Sequence, residues 1–251
     1  SILISKGGAY YAFDSKEELD KERKLREKEG KTFIYNASNR LKFKNSLSLS
    51  SKKTKKLIEK KDYVVRFKTL EKAEITCYDV LRGKIVVDSH VMDDKVLFKA
   101  DRTPTYHFAN VVDDHLMSIS HVIRGEEWIN SMPKHVLLYD YFGWELPVFC
   151  HMPLLRNPDK SKLSKRKNPT SIGYYKSLGY LPQALLNYLG MMGWTMPSGE
   201  EKFSIEDMTN NFDINRVSLG GPIFDLEKLN WLNGKYIREE MSDGEFVNKF
   251  T

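Results

Sequence analysis

The sequence predicts an α/β protein, and three observations carry that prediction. Ser118 to Trp128 is a β-branched apolar run that ends in Arg124-Gly125 and then opens a helical pattern, as a strand, a tight turn and a helix would. Tyr63 to Phe67, Glu74 to Val80 and Lys84 to Val87 are short β-branched runs, which read as an antiparallel meander. From Ser171 onward the apolar spacing is that of helices.

Composition narrows the class. A chain of 251 residues with 41% hydrophobic content can bury a core and divide into two or three units. No apolar run approaches the ~20 residues of a membrane span, and Ser1-Ile-Leu-Ile-Ser-Lys lacks the layout of a signal peptide. A soluble, cytoplasmic protein is expected. Cys77 and Cys150 stand far apart in apolar, strand-like contexts, the setting of buried free thiols rather than of a disulfide or thiolate metal site. The net charge of +6 is uneven: residues 1–62 hold 17 Lys and Arg against 9 Asp and Glu, and the remainder 23 against 25. A basic excess confined to one region suits a surface that meets a polyanion. RNA fits better than a membrane, because no amphipathic helix with a Trp/Phe face backs these charges.

In chain order, Ser15-Lys-Glu-Glu18 is a capping box, and the Glu, Lys and Arg residues up to Gly30 describe an exposed helix with a thin apolar stripe at Leu19 and Leu25. Such a helix is either simply solvated or an RNA contact. The Ser- and Lys-rich stretch Asn45 to Lys56 predicts a loop running into a helix start, with backbone-phosphate contact open to it. After the meander, Pro104 to Asp114 predicts a helix, Ser118 to Arg124 a strand, Glu127 to Phe142 a helix and Pro147 to Met152 a strand. Helices follow over Ile172–Leu178, Pro182–Met192 with proline in the first turn, and Ser204–Phe212. Leu185, Leu186, Leu189 and Met192 read as core.

Chemistry gathers in three places. In open α/β sheets ligands sit beyond the carboxyl ends of the strands, so Arg124, Gly125, Glu127 and Trp128 would face a crevice. Lys162-Leu-Ser164-Lys165-Arg166, flanked by Asn157-Pro158 and Asn168-Pro169, puts two ammonium groups, a guanidinium and a hydroxyl on a loop. Those groups suit phosphate, although a five-residue basic run alone is usually a solvated face or a nonspecific basic patch. Tyr106, Asn110, Asp113 and Asp114 mix polar groups into the apolar stretch that follows Pro104.

Taken together, Pro104-Thr-Tyr-His-Phe-Ala-Asn-Val-Val-Asp-Asp, Val122-Ile-Arg-Gly-Glu-Glu-Trp, Lys162-Leu-Ser-Lys-Arg, and Leu185-Leu-Asn-Tyr-Leu with Gly193-Trp194 resemble the class I glutamyl-tRNA synthetases of the bacterial type. The resemblance runs from about Ala9 to Arg238. It implies the second half of a class I, Rossmann-like nucleotide-binding domain with an inserted α/β acceptor-binding domain and a helical stem-contact region. The divisions it implies are 1–103 for the insertion, 104–160 for the nucleotide-binding half, and 161–251 for the signature loop and helices. It also implies an internal fragment, since the family's His-Ile-Gly-His-like first half and C-terminal anticodon-binding part have no counterpart here. The isolated fragment is then expected to be inactive.

The implied reaction joins L-glutamate to ATP, giving glutamyl-adenylate and pyrophosphate, and then passes the acyl group to the 3′ end of tRNA(Glu). Neither step needs a protein nucleophile; positioning and charge stabilisation carry phosphoryl-centred displacement. On the resemblance, Lys162, Ser164, Lys165 and Arg166 serve the triphosphate catalytically, with Lys165 foremost. Arg124, Tyr106 and Asn110 take glutamate, and a guanidinium meets a carboxylate bidentately where an ammonium does not. Glu127, Trp128, Leu154, Leu155 and Lys165 take ATP, while Asp113 and Asp114 lie near the tRNA terminus. Trp128 is equally a core aromatic, and the two aspartates a helix-end charge pair. His121 and His151 read as structural, since no step demands a base. ATP comes with Mg²⁺ held mainly by its phosphates, with no metal ligand in the chain. Relatives hold zinc at positions matching Ala12, Asp14, Tyr35 and Asn39, where the thiolates are gone, so no zinc is expected. The partners implied are L-glutamate, ATP and tRNA(Glu), with no membrane, for a monomer. Two other classes stay open: a non-catalytic tRNA- and ligand-binding module, and a glutaminyl-tRNA synthetase or a truncated relative that glutamylates a modified nucleoside.

Overall fold

The structure, a computed structural model, describes residues 1–163 and 171–250. It forms two compact units, one of residues 1–122 with 128–149 and the other of residues 123–127 with 150–251.

The first unit opens with α1 (Ile2–Ser5) and β1 (Ala9–Ala12) and continues with α2 (Lys16–Lys28). Ser15 caps α2 reciprocally with Glu18, as its sequence predicts, and the helix buries none of its residues. α3 (Ser51–Glu59) follows the Ser-rich loop and carries Lys52, Lys53, Lys55 and Lys56 on solvent. Then come β2 (Val64–Phe67), β3 (Glu74–Asp79), β4 (Gly83–Asp88), β5 (Val96–Phe98), α4 (Tyr106–Leu116), β6 (His121–Gly125), α5 (Met132–Phe142) and β7 (Val148–Met152), with the residues of β6 from 123 and of β7 from 150 counted in the second unit.

The expected three-stranded meander is not formed. β3 and β4 make the antiparallel hairpin, turning at Gly83 with a φ of 69°, a left-handed conformation that glycine adopts without strain. β2 instead lies in an antiparallel sheet of order β1-β2-β5. The reason is local: just after β2, Thr69 gives its amide and hydroxyl to Asp94. That anchors the chain beside β5 rather than letting it fold back on β3. The hairpin joins a four-stranded sheet of order β4-β3-β7-β6, in which β3 and β7 run parallel through Asp79 and Phe149. This sheet therefore draws strands from both sides of residue 103.

One apolar core gathers Phe67, Ile75, Leu97, Val111, Met132 and Leu138; a smaller one holds Tyr10, Ala12 and Tyr35. Beside the second lies a buried ion pair, with Arg40 Nε 2.9 Å from Asp94 Oδ2. Cys77 is buried and unpaired, and burial pushes its thiol up to about 11.

The second unit is helical after residue 171: α6 (Ile172–Ser177), α7 (Pro182–Gly190), α8 (Ile205–Asn211), α9 (Leu226–Glu240) and α10 (Asp243–Phe250). Its core joins Tyr175, Leu181, Ala184 and Tyr188 to Leu229, Leu232 and Tyr236. Leu186 and Leu189, expected inside, are 51% and 44% exposed. Polar chemistry sets that rotation of α7. Asn187 Oδ1 accepts from the Phe203 amide and the Tyr236 hydroxyl, its Nδ2 donates to the Glu201 carbonyl, and the Tyr188 hydroxyl bonds to the backbone of Asp225. Two side chains satisfied in this way outweigh two leucines as the inward face. Cys150 is the second buried cysteine, in no disulfide, with its Sγ 4.0 Å from Met152 Sδ. Among the described residues, no helix is long and apolar enough to cross a membrane.

Candidate functional site

In the first unit the singled-out residues lie along α4. Tyr106, Asn110, Asp113 and Asp114 follow helical spacing, so they share one flank of the helix, while Val111 goes into the core. The Tyr106 ring is 47% exposed and stands 4.6 Å from the ring of Trp128. Trp128 is only half-buried, so its indole serves as a wall for Tyr106 rather than as core filling. Asn110 Oδ1 is buried with no hydrogen-bond partner among the described residues. A buried carbonyl left in that condition costs about 1–3 kcal/mol, and a ligand N–H would relieve it. Asp113 is exposed and Asp114 half-buried; Asp114 adds to the burial that pushes the Tyr139 hydroxyl up to about 12. A cleft of about 670 Å³ opens beside Tyr106, lined also by Arg66, Lys95, Asp93, Thr105 and His107. His107 Nδ1 lies 3.1 Å from Nε2 of His135, whose ring is buried. That histidine pair carries no signal in the sequence, because the two are brought together by the packing of α4 on α5.

In the second unit, Arg124 closes β6 and donates its Nε–H to His151 Nε2 at 3.0 Å. His151 is fully buried on β7, whereas His121 is exposed and lies 3.0 Å from the Ser120 hydroxyl. Gly125 leaves room for the Glu127 carboxylate to fold back, since a Cβ there would lie 2.0 Å from Glu127 Oε2. Glu127 in turn stands 3.9 Å from Lys162 Nζ, a pair open to solvent on both sides and so worth ~0–1 kcal/mol. Glu126 Oε1 accepts from the Leu154 amide at 3.4 Å and lies 3.8 Å from Arg156.

The base of the Lys162 stretch is a closed turn. The Leu163 amide bonds to the Leu155 carbonyl, Asn157 bonds to Ser161 through backbone and side chain, and Ser161 donates to Asp159. Leu154 and Leu155 enter this turn half-buried. Arg124, Glu127, Leu154, Leu155 and Lys162 thus belong to one unit. Ser164, Lys165 and Arg166 lie outside the described residues.

The four positions matched to a zinc site do not fit one. Ala12 has no donor atom, and Asn39 is tied to the backbone of Asn36 and Ile34. The Tyr35 hydroxyl, which accepts from Asn45, lies 3.4 Å from the Asp14 carboxylate. Burial, its largest influence, raises the Asp14 carboxyl above the usual range, which weakens it as an anionic ligand.

Comparison with known proteins gives the family. Residues 1–231 match the family described as tRNA synthetases class I (E and Q), catalytic domain. The chain is 55% identical over 249 residues to the glutamate–tRNA ligase of Marinomonas sp., covering 99% of this chain and 49% of that protein. It is 56% identical over 248 residues to that of Acinetobacter baumannii, covering 98% and 48%. A crystal structure of the glutamate tRNA ligase of Elizabethkingia meningosepticum in complex with its amino acid superposes with a TM-score of 0.93 at 42% identity, over 99% of this chain and 53% of that one. The glutamate-tRNA synthetase of Elizabethkingia anophelis gives 0.92, also at 42% identity. The chain thus spans about half the length of these relatives. With its α/β architecture, its arginine at a strand's carboxyl end and this match over residues 1–231, the chain belongs to the catalytic-domain family of the class I tRNA synthetases for E and Q.

Proposed function

We propose that the protein carrying this chain is a glutamate–tRNA ligase, which activates L-glutamate with ATP and transfers it to the 3′ end of tRNA(Glu). The observation that carries this reading is the family match over residues 1–231 together with 55% identity to a glutamate–tRNA ligase.

The roles follow from side-chain chemistry. Arg124, donor-only and held at the end of β6, takes the side-chain carboxylate of glutamate. Asn110, whose buried Oδ1 lacks a partner among the described residues, and Tyr106 take other polar atoms of the amino acid. Glu127 and Trp128, with Leu154 and Leu155 against the base, serve adenosine. Lys162, Ser164, Lys165 and Arg166 meet the triphosphate, whose charge spreads as the α-phosphorus is attacked by the glutamate α-carboxylate and pyrophosphate departs. Asp113 and Asp114 stand by the tRNA terminus. Residues 1–103 act as the acceptor-binding insertion, 104–160 as the second half of the nucleotide-binding domain, and 161–251 as the signature loop and stem-contact helices. The lysines of α3 lie on solvent in the basic part of the chain, as contact with a tRNA backbone requires.

Among the described residues, no three His, Cys, Asp or Glu side chains are grouped to hold a metal ion. Mg²⁺ would arrive on the phosphate oxygens of ATP, where it would neutralise phosphate charge. The protein works as a cytoplasmic monomer. Pyrophosphate exchange titrated with glutamate and with glutamine tests the substrate: saturation by glutamate alone is expected, and saturation by glutamine would make the protein a glutaminyl enzyme.

A further inference from the structure

We infer that His151 is a positioning residue for amino-acid recognition: its imidazole fixes the rotation of the Arg124 guanidinium and so the direction in which that fork presents itself. The inference rests on the reading of Arg124 as the partner of the substrate's side-chain carboxylate.

An arginine only donates. The contact of 3.0 Å between Arg124 Nε and His151 Nε2 therefore requires a lone pair on Nε2, which makes His151 neutral and puts its proton on Nδ1. His151 is fully buried and belongs to strand β7, so the ring has little freedom to follow the arginine; the arginine follows the ring. A guanidinium can meet a carboxylate side-on, through Nε and one terminal nitrogen, or end-on, through both terminal nitrogens. With Nε–H committed to His151, the end-on approach is the one the structure favours. A fork fixed in that way also discriminates. A carboxylate offers two acceptors to two donors, whereas an amide turns an N–H toward one of them. A guanidinium free to swing would meet only the amide oxygen and lose part of that discrimination.

The test uses the protein at its relatives' full length, with glutamate, glutamine and ATP titrated in pyrophosphate exchange. His151→Leu should raise the KM for glutamate about tenfold or more, as loss of orientation in a binding site does, with the KM for ATP unchanged and the preference for glutamate over glutamine reduced. His151→Gln should stay within about threefold of wild type, because its amide oxygen accepts the same N–H. In an Arg124→Gln background, His151→Leu should add nothing further, the non-additivity expected of residues acting through one contact. A folded His151→Leu with wild-type KM, or one whose loss is the same in both backgrounds, overturns the inference. Arg124→Gln with an unchanged glutamate KM removes the underlying reading of Arg124 instead, so the two failures are told apart. If His151→Leu does not fold, the ¹⁵N spectrum of the wild-type histidine rings decides: an unprotonated Nε2 on His151 that shifts in Arg124→Gln supports the inference, and a proton on Nε2 overturns it.

Discussion

Arg40→Met tests the packing of the first unit most severely. The Asp94 carboxylate is fully buried and Arg40 is 6% exposed. The carboxylate accepts from the Tyr10 hydroxyl and the Thr69 hydroxyl at 2.6 Å, from the Thr69 amide at 3.0 Å and from Arg40 Nη2 at 2.9 Å, and its Oδ2 lies 2.9 Å from Arg40 Nε as an ion pair. Methionine fills much of the arginine's volume but leaves Asp94 with three neutral donors and no cation. Breaking a buried pair by removing one partner costs about 3–5 kcal/mol, a large share of the ~5–15 kcal/mol of a whole domain. At a urea slope of about 2 kcal/mol per molar, the unfolding midpoint should fall by about 2 M.

The deficit should also depend on pH. Burial already raises the Asp94 carboxyl above its usual range despite Arg40, and removing Arg40 raises it further. A carboxyl raised in the folded state favours folding in its protonated form, so that contribution is lost as pH rises through the folded value. The Arg40→Met deficit should therefore be largest at neutral pH and shrink as pH falls toward the ordinary carboxylate range. Adding Asp94→Asn should recover part of it at pH 7. Urea unfolding of the 251-residue chain at pH 7 and pH 5 reads both effects. A loss below about 1 kcal/mol, the scale of exposed pairs, or a deficit independent of pH would refute the reasoning.

Three further outcomes are expected. Arg124→Gln should weaken glutamate binding by ~2–5 kcal/mol, the cost of leaving a desolvated charge partner unpaired, and unchanged affinity by calorimetry would make Arg124 a purely structural residue. Lys165→Ala should slow adenylate formation by more than about tenfold, the scale of losing a charge-stabilising donor, while glutamate affinity stays near wild type; a wild-type rate in rapid quench would remove Lys165 from the mechanism. Ser15→Ala should cost about 0.5–2 kcal/mol of helix stability. Because α2 buries nothing, that loss should appear as faster amide exchange within the helix, and protection identical to wild type would contradict the role of the cap.

How much of this was legible in the sequence depended on how local the cause was. The capping box at Ser15, the strand ending in Arg124-Gly125, the proline opening α7 and the two buried thiols were all read correctly, because each is set by a few adjacent residues. The meander failed because the anchor of the chain after β2 is Asp94, twenty-five residues beyond Thr69, and no periodicity reports it. Leu186 and Leu189 were misplaced because apolar spacing alone does not register Asn187 and Tyr188, whose partners sit on the chain at 201–236. In the candidate site, the residues proposed to touch a ligand are recognisable as motif positions. The groups behind them, His151 under Arg124 and His135 under His107, came only with the fold. Ser164, Lys165 and Arg166 rest on motif alone.

The most direct test of the functional account is glutamate-dependent exchange of labelled pyrophosphate into ATP, with and without tRNA. It should be run on this chain and on a form extended to the full length of its relatives. The account predicts exchange in the extended form only, with glutamate and not with glutamine. Silence in both forms, each shown to be folded, would contradict it and leave the chain as a tRNA- and ligand-binding module.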